Sequence, residues 1–240
     1  MKQIIKTILR KAGWELRRID GTTHSTMIRG LKWLSSHEFH IKTVLDVGAS
    51  NGCWSIKCMD FFPEANYVLF EPQPVHSDEL DSFAKSCKQT VVLIKKAVGA
   101  SEGQTFFDAL EPFGGALAQN DKVDNTIKVG LTTIDTTASQ IQLEGPVLLK
   151  LDTHGFEKRI LEGAGNTLEK TNILIIEAYN YRITDEAYLF WELCAFLSDR
   201  GFRPIDLVDV THRPYDNSLW QMDLFFIRST WEGFNYISYK

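Results

Sequence analysis

The sequence predicts an α/β fold with a mostly parallel, seven-stranded sheet, helices on both of its faces, and an antiparallel hairpin at the carboxyl end. Short apolar runs of strand length recur from residue 41 to residue 228 and alternate with stretches of helical spacing. The last two runs have no helix between them, which favours a hairpin. The chain has 240 residues, of which 44% are apolar, enough for one large core.

The predicted elements follow one another in a regular order. The strands are expected at residues 43–47, 67–70, 91–99, 146–152, 172–177, 203–210 and 220–228. The helices are expected at 54–62, 75–86, from the end of the fourth strand through Ala164, and at 185–200, where Gly201 ends the last one. Residues 100–125, with Gly114 and Gly115, show no periodicity and are interpreted as an insertion over the site, either a lid or a plain connection.

The amino-terminal segment differs from the rest of the chain in charge. Residues 2–18 carry six basic side chains and one acid, Glu15, and residues 2–12 have the apolar spacing of a short amphipathic helix. We therefore divide the chain into a basic helical appendage, 1–38, and a main domain, 39–240. The helix is expected either to pack on that domain or to contact an anionic membrane surface.

Charge and cysteine content exclude several functional classes. The net charge of −5 argues against a nucleic-acid partner, which usually requires a basic domain. The four cysteines form no Cys-x-x-Cys pair and have no metal-ligand spacing, so we expect reduced thiols and no metal. No apolar run approaches the length of a membrane span. These features predict a cytoplasmic protein, with the inner membrane face as an alternative through residues 2–18.

The turn after the first strand has the features of a nucleoside site. Glycines 48 and 52 allow close approach of a ligand, but the dinucleotide fingerprint fails because Ser50 and Cys53 occupy its second and third glycine positions. A cofactor without phosphates, such as S-adenosylmethionine, does not need that fingerprint. Asp46 is expected to meet its ammonium, directly or through water, and Glu71 to accept its ribose hydroxyls. The alternatives are a turn-capping aspartate and a solvated acid at a strand end.

Several ordered motifs resemble the FkbM family of S-adenosylmethionine-dependent methyltransferases, over about residues 43–228. They are VLDVGASNGCWS (44–55), FEPQP (70–74), KKAVG (95–99), LLKLDTHGFEKRILEGA (148–164) and LWQMDLFFIR (219–228). The resemblance implies a Rossmann-like class I methyltransferase that methylates hydroxyls of sugars, polyketides and similar metabolites. It implies that the cofactor is bound by residues of these motifs, namely Asp46, Gly48, Ala49, Ser50, Asn51, Gly52, Glu71, Pro72, Lys96 and Ala97.

Three polar residues at the ends of neighbouring strands are candidates for the chemistry. His154 is expected to be the general base, Asp152 to orient it or bind the acceptor hydroxyl, and Glu177 to complete the group. The family more often carries Glu or Gln where this chain has His154, so roles known from other members transfer weakly to it. Structural alternatives are a helix cap for His154, a backbone-binding role for Asp152 and a structural role for Glu177.

Two further residues, Gln221 and Asp223, share one face of the last strand and are expected to bind the acceptor. The predicted function is therefore transfer of a methyl group to a hydroxyl of a small molecule or glycan. A nicotinamide-dependent oxidoreductase on the same fold and a non-catalytic nucleoside-binding module remain as alternatives.

Overall fold

The computed structural model of this protein describes Lys11, residues 26–109 and 126–239, and the backbone of residues 116–118. The amino-terminal helix predicted at 2–12 lies outside the described residues except for Lys11, and so do Gly114 and Gly115. Within the described part of the chain, no helix is long and apolar enough to cross a membrane.

A seven-stranded, mostly parallel sheet forms the centre of the molecule, as the sequence predicts. Its strands are β1 (Thr43–Val47), β2 (Asn66–Phe70), β3 (Val91–Ile94), β8 (Val147–Leu151), β9 (Thr171–Tyr179), β10 (Phe202–His212) and β11 (Leu219–Arg228). The order across the sheet is β3-β2-β1-β8-β9-β11-β10. Only β11 runs against its neighbours, pairing antiparallel with β9 and with β10, which confirms the predicted hairpin.

The central strands are buried on both faces because helices cover the sheet on either side. Every residue of β1 and β8 is buried. Alternate residues enter two separate core clusters, with Leu45 and Leu149 on one face and Val44 and Leu148 on the other. The sheet therefore divides the core into two layers.

Seven α-helices and two 3₁₀ turns are found in the described residues. They are α1 (Met27–Ser36), α2 (Cys53–Met59), a 3₁₀ turn at Pro74–His76, α3 (Ser77–Ser86), α4 (Ile134–Gln140), α5 (Glu157–Glu162), α6 (Gly165–Lys170), α7 (Phe190–Ser198) and a second 3₁₀ turn at Glu232–Asn235. The side chains of Thr26 and Thr133 cap α1 and α4 by accepting a hydrogen bond from the first turn.

Helix α1 packs directly on the main domain. Leu31 and Leu34 are fully buried in the core cluster that also contains Phe225 of β11. Gly30 makes this contact possible, because a Cβ there would lie 2.6 Å from the Phe225 ring. Residues 27–36 thus contribute to the core of the main domain, although the sequence-based division assigned them to the appendage.

The predicted third strand, 91–99, is wrong as a single element. It breaks at residues 95–96 into β3 and a separate β4 (Ala97–Val98), which belongs to a second sheet. That sheet also contains β5 (Gly103–Asp108), β6 (Ala116–Ala118) and β7 (Thr126–Thr132), in the order β4-β7-β5-β6. The stretch 100–125 therefore contains strands as well as loop, although its sequence shows no periodicity that would indicate them.

The last predicted helix begins five residues later than expected, at Phe190. Leu189 is extended and forms an isolated bridge with Tyr179, so the helix begins only after it. The helix ends as predicted before Gly201, whose φ of 77° suits the left-handed conformation. The predicted helix through Ala164 is also shorter, ending at Glu162 before a turn that leads into α6.

Candidate active site

Polar side chains gather at one edge of the large sheet, on one of its two faces. In β8, Leu149 and Leu151 enter one core cluster and Leu148 enters the other, so Lys150 shares the face of Leu148. The same alternation places five further polar residues on that face, namely Asp46, Glu177, Tyr179, Gln221 and Asp223. The order of strands reverses between β1 and β8, which is where ligands bind in open α/β sheets.

The glycine turn after β1 packs tightly against the loop after β8. Gly48 and Gly52 have φ values of 77° and 82°, and Ser50 between them is also left-handed at 49°. A Cβ on Gly48 would lie 2.0 Å from the carbonyl oxygen of Asp152, so no other residue fits there without moving the backbone. The turn therefore brings the ends of β1 and β8 into direct contact.

Glu71 joins this turn to the loop after β2. Its Oε2 accepts a hydrogen bond from the backbone N–H of Ser50 at 2.7 Å, and its Oε1 accepts one from Gln73 at 2.8 Å. Burial raises the pKa of the Glu71 carboxyl above its usual value, although these two hydrogen bonds oppose the change. Each carboxylate oxygen keeps acceptor capacity beyond these bonds.

A cavity of about 190 Å³ lies between these loops and the small sheet. The predicted site residues that line it are Gly48, Ser50, Glu71, Pro72, Lys96, Ala97, Asp152 and His154. The remaining lining is mostly apolar and includes Phe70, Val98, Phe107 and Phe156. Phe107 comes from β5, so the small sheet forms one wall of the cavity, a contribution that the sequence did not predict.

Lys150 is a site residue that sequence reasoning missed. Its side chain is only 6% exposed, and its Nζ lies 3.1 Å from Oδ1 of Asp46 and 3.3 Å from Oδ2 of Asp152. Burial opposes the charge, but attraction to Asp46 and then to Asp152 exceeds that effect, so the pKa of Lys150 is raised. A lysine inside an otherwise apolar strand was the signal, because a buried lysine needs a partner.

Asp46 does not line the cavity. It is fully buried behind the turn, where its Oδ2 accepts a hydrogen bond from Ser55 at 2.7 Å and its Oδ1 pairs with Lys150. In the structure, Asp46 holds Lys150 and the start of α2. Its predicted contact with a cofactor ammonium, directly or through water, stays a prediction. Lys150 in turn donates to the carbonyl oxygen of Gly48 at 3.3 Å, which supports the turn from below.

His154 is held in the loop after β8 by a second buried acid. Glu157 accepts hydrogen bonds at its Oε1 from the hydroxyl of Thr153, at 3.0 Å, and from the backbone N–H of Gly155, at 3.1 Å. His154 itself has a φ of 52°, an unusual value that this loop enforces. Sequence reasoning missed this role of Glu157.

Glu177 is fully engaged by neighbouring side chains. Its Oε1 accepts from the hydroxyl of Tyr179 and lies 3.2 Å from Nδ1 of His154, and its Oε2 accepts from Nε2 of Gln221 at 2.9 Å. The hydrogen bond to Glu177 raises the pKa of His154 despite partial burial. Neither Glu177 nor Gln221 lines the cavity, so they act on its lining through His154.

Asp223 lies beside Glu177 on the neighbouring strand, in direct register with it. Burial raises the pKa of Asp223 to about 7, and repulsion from Glu177 and Asp152 adds to the effect. A group that stays partly protonated near neutral pH can donate as well as accept a hydrogen bond. Like Gln221, Asp223 does not line the cavity.

Three residues of the predicted turn lie outside the cavity lining. Asn51 uses its Oδ1 to accept from the backbone N–H of Cys53 at 3.3 Å, at the start of α2. Ala49 is buried in the core cluster below the turn, and Gly52 packs against the side chains of α3. These residues shape the turn.

The described residues contain one group with metal-ligand spacing. Ligand atoms of Asp152, His154 and Glu177 all lie within 4.8 Å of one another. In the structure, however, Asp152 pairs with Lys150 and the other two share a hydrogen-bond network with Tyr179. The sequence-based expectation of no metal stays a prediction.

The chain is similar to known methyltransferases in sequence and in fold. A family model described as the methyltransferase FkbM domain matches residues 46–204. A hexuronic acid methyltransferase, AglP of Haloferax volcanii, is 28% identical over 166 residues, which are 65% of this chain and 67% of that protein. The crystal structure of a methyltransferase FkbM from Methylobacillus flagellatus KT is similar, with a TM-score of 0.51 and 15% identity. The match covers 77% of this chain and 44% of that chain, less than half of its length.

The sheet order, the antiparallel β11 and the cavity at the carboxyl ends of the strands define a Rossmann-like class I methyltransferase fold. Within that class, the chain belongs to the FkbM methyltransferase family.

Proposed function

We propose that this protein transfers the methyl group of S-adenosylmethionine to a hydroxyl oxygen of a glycan, a sugar or a similar secondary metabolite. The main support for this proposal is one cavity that is lined by Glu71 on one side of the turn after β1 and by Asp152 and His154 on the other. Glu71, the proposed ligand of the ribose, and His154, the proposed proton acceptor, therefore border the same cavity.

The residues of the cavity fit the proposed cofactor. Glu71 has acceptor capacity left for two ribose hydroxyls, and its negative charge disfavours a phosphate at the same place. Ala97, Val98 and Phe107 offer an apolar surface for a purine. When bound, S-adenosylmethionine supplies an electrophilic methyl group on a cationic sulfur.

The protein's own part in the reaction is to orient the acceptor and take its proton. An alcohol is a weak nucleophile at neutral pH, so a base that removes its proton as the new bond forms accelerates transfer. His154 lines the cavity and has its pKa raised by Glu177, which makes the ring a stronger base. Asp152 lines the cavity beside it and is available to the acceptor hydroxyl.

Two observations support a glycan acceptor. A relative that matches most of this chain is named as a hexuronic acid methyltransferase. In addition, Gln221 and Asp223 lie beside Glu177 on β11, outside the cavity lining, and such amide and carboxyl groups suit sugar hydroxyls of an acceptor that extends beyond the cavity. We also propose that the basic residues 2–18 bring the enzyme to anionic membranes where the glycan is lipid-linked. Removal of residues 1–19 should then abolish cosedimentation with anionic vesicles, and a full-length chain that does not cosediment would contradict this extension.

Calorimetric titration with S-adenosylmethionine tests the cofactor. We expect saturable binding by the wild-type protein and binding at least about tenfold weaker in Glu71→Gln, because loss of a charge-assisted hydrogen bond to ribose costs about 1.5 kcal/mol or more. The matched control is Glu79→Gln, since Glu79 is an exposed glutamate of α3. No binding by the wild-type protein would reject the proposal, and selective binding of NAD would favour the oxidoreductase alternative.

A transfer assay with labelled methyl groups and a panel of hydroxylated sugars tests turnover. His154→Ala should lower kcat by about 100-fold or more while leaving cofactor binding intact. Binding without transfer to any acceptor would favour a non-catalytic module. Full activity in His154→Ala would remove this residue from the mechanism.

A further inference from the structure

Nδ1 of His154 faces two oxygen atoms of β9. It lies 2.9 Å from the hydroxyl of Tyr179 and 3.2 Å from Oε1 of Glu177. Tyr179 stands two residues after Glu177, on the same face of the strand, so both side chains reach the histidine ring together. No sequence pattern singles out Tyr179, which is an aromatic residue in a buried strand.

The position of the tyrosine hydrogen determines the position of the histidine hydrogen. The hydroxyl of Tyr179 donates its only hydrogen to Oε1 of Glu177. Burial and the charge of Glu177 raise the pKa of Tyr179 well above its usual value, so the phenol keeps that hydrogen. Toward His154, the same oxygen can therefore only accept, and Nδ1 must carry the hydrogen that it accepts.

Glu177 cannot turn away from this arrangement, because its other oxygen accepts from Gln221 at 2.9 Å. The residue is only 9% exposed, and its carboxylate is held from both sides. Tyr179 is fixed as well, since its ring packs edge-on against Trp220 with centroids 5.9 Å apart. Among the described residues, Nε2 of His154 has no hydrogen-bond partner.

We propose that Tyr179 is a positioning residue that, with Glu177, holds His154 in the tautomer protonated at Nδ1 and so keeps Nε2 free as the base. The role of Nε2 rests on the proposed function. As the acceptor oxygen forms its bond to the methyl carbon and the carbon–sulfur bond breaks, the hydroxyl proton passes to Nε2. The imidazolium so formed keeps its Nδ1 hydrogen and is stabilised by Glu177, and it later releases the Nε2 proton to solvent.

This arrangement depends on a histidine at position 154. A carboxylate at position 154 would face Glu177 and Asp152 and be repelled by both, and it has no tautomer to select. A neutral imidazole has two tautomers, and only one of them presents a lone pair at Nε2. A hydrogen-bond acceptor beside Nδ1 selects the tautomer that is protonated there.

Nitrogen NMR of the protein labelled at histidine reads the tautomer without any substrate. The chain has six histidines, and the signal that disappears in His154→Gln assigns the ring. At a pH where the ring is neutral, we expect the Nδ1–H form in the wild-type protein and a larger share of the Nε2–H form in Tyr179→Phe. A wild-type ring protonated mainly at Nε2, or a Tyr179→Phe spectrum identical to wild type, would overturn the proposal.

Kinetics test whether Tyr179 acts through His154. Tyr179→Phe should lower kcat by about 10- to 100-fold, less than loss of the base itself, and change the KM for S-adenosylmethionine by no more than about twofold. In the His154→Gln background, the same change should cost nothing further. The matched control is Tyr181→Phe, which removes a hydroxyl bonded to Ser218 and should keep wild-type activity.

Equal losses from Tyr179→Phe in both backgrounds would show a merely structural tyrosine and refute the proposal. If no acceptor is methylated at all, the proposed function fails, but the NMR result still decides whether Tyr179 sets the tautomer.

Discussion

Lys150 and Asp46 form a buried ion pair beneath the glycine turn, with 3.1 Å between Nζ and Oδ1 and side chains that are 6% and 0% exposed. Removing one partner of such a pair leaves a buried charge without compensation. Lys150 also contacts Asp152 and the carbonyl of Gly48, so the pair joins β1 to β8 below the cavity. The stability of the fold and the shape of the site are therefore linked at this point.

Lys150→Met should lower the free energy of unfolding by about 3–5 kcal/mol, measured by urea denaturation. The matched control is Lys95→Met, because Lys95 pairs with Asp81 at 2.8 Å but both side chains are more than 40% exposed. That exposed pair should contribute no more than about 1 kcal/mol. Equal losses of unfolding free energy in the two variants would mean that breaking the buried Lys150 pair costs no more than breaking an exposed one.

Gly48→Ala should abolish binding of S-adenosylmethionine, because the new Cβ would lie 2.0 Å from the carbonyl oxygen of Asp152 and force the two loops apart. Gly103→Ala is the control: Gly103 also has a positive φ, of 149°, but no other atom lies within 4 Å of the place that its Cβ would occupy. The control should lose about 1–2 kcal/mol of stability at most and keep its affinity within about twofold. Calorimetry that finds normal affinity in Gly48→Ala would contradict the proposed site.

The sequence predicted the large sheet and half of the residues that line the cavity, because both follow from local patterns. Apolar runs fix the strands, and residues just after them, such as Glu71 and His154, necessarily reach the carboxyl edge of the sheet. Side-chain direction was harder to predict. Asp46 lies within β1 and its side chain points behind the turn, where it meets a lysine 104 positions later in the chain.

The small sheet was missed for a related reason. Its two longest strands, β5 and β7, are only partly buried, so they lack the continuous apolar runs that marked the central strands. The β4 strand has two residues and pairs with β7, more than 30 positions away. Such pairing is decided by tertiary contacts, and local periodicity carries little information about it.

Asp223→Asn should make stability less dependent on pH. The pKa of Asp223 is about 7 in the folded protein and about 4 in an unfolded chain. Between these values the folded state binds a proton that the unfolded state does not, so stability falls as pH rises through this window. From pH 5 to pH 8 the free energy of unfolding should fall by about 2–3 kcal/mol more in the wild-type protein than in the variant, measured by urea denaturation with chelator present. Asp60→Asn, at an exposed site, is the control, and parallel pH dependence in all three proteins would contradict the effect.

Removal of divalent metal should leave methyl transfer unchanged, although Asp152, His154 and Glu177 lie close enough to share an ion. A metal ion would have to displace Lys150 from Asp152 and compete with the hydrogen bonds that His154 and Glu177 make with Tyr179. The ammonium of Lys150 already supplies positive charge at this place, which lowers the affinity for a second cation. Dialysis against a chelator followed by addition of Mg²⁺ or Mn²⁺ should change kcat by no more than about twofold. Activity lost on chelation and restored by one of these ions would instead assign the three residues as its ligands.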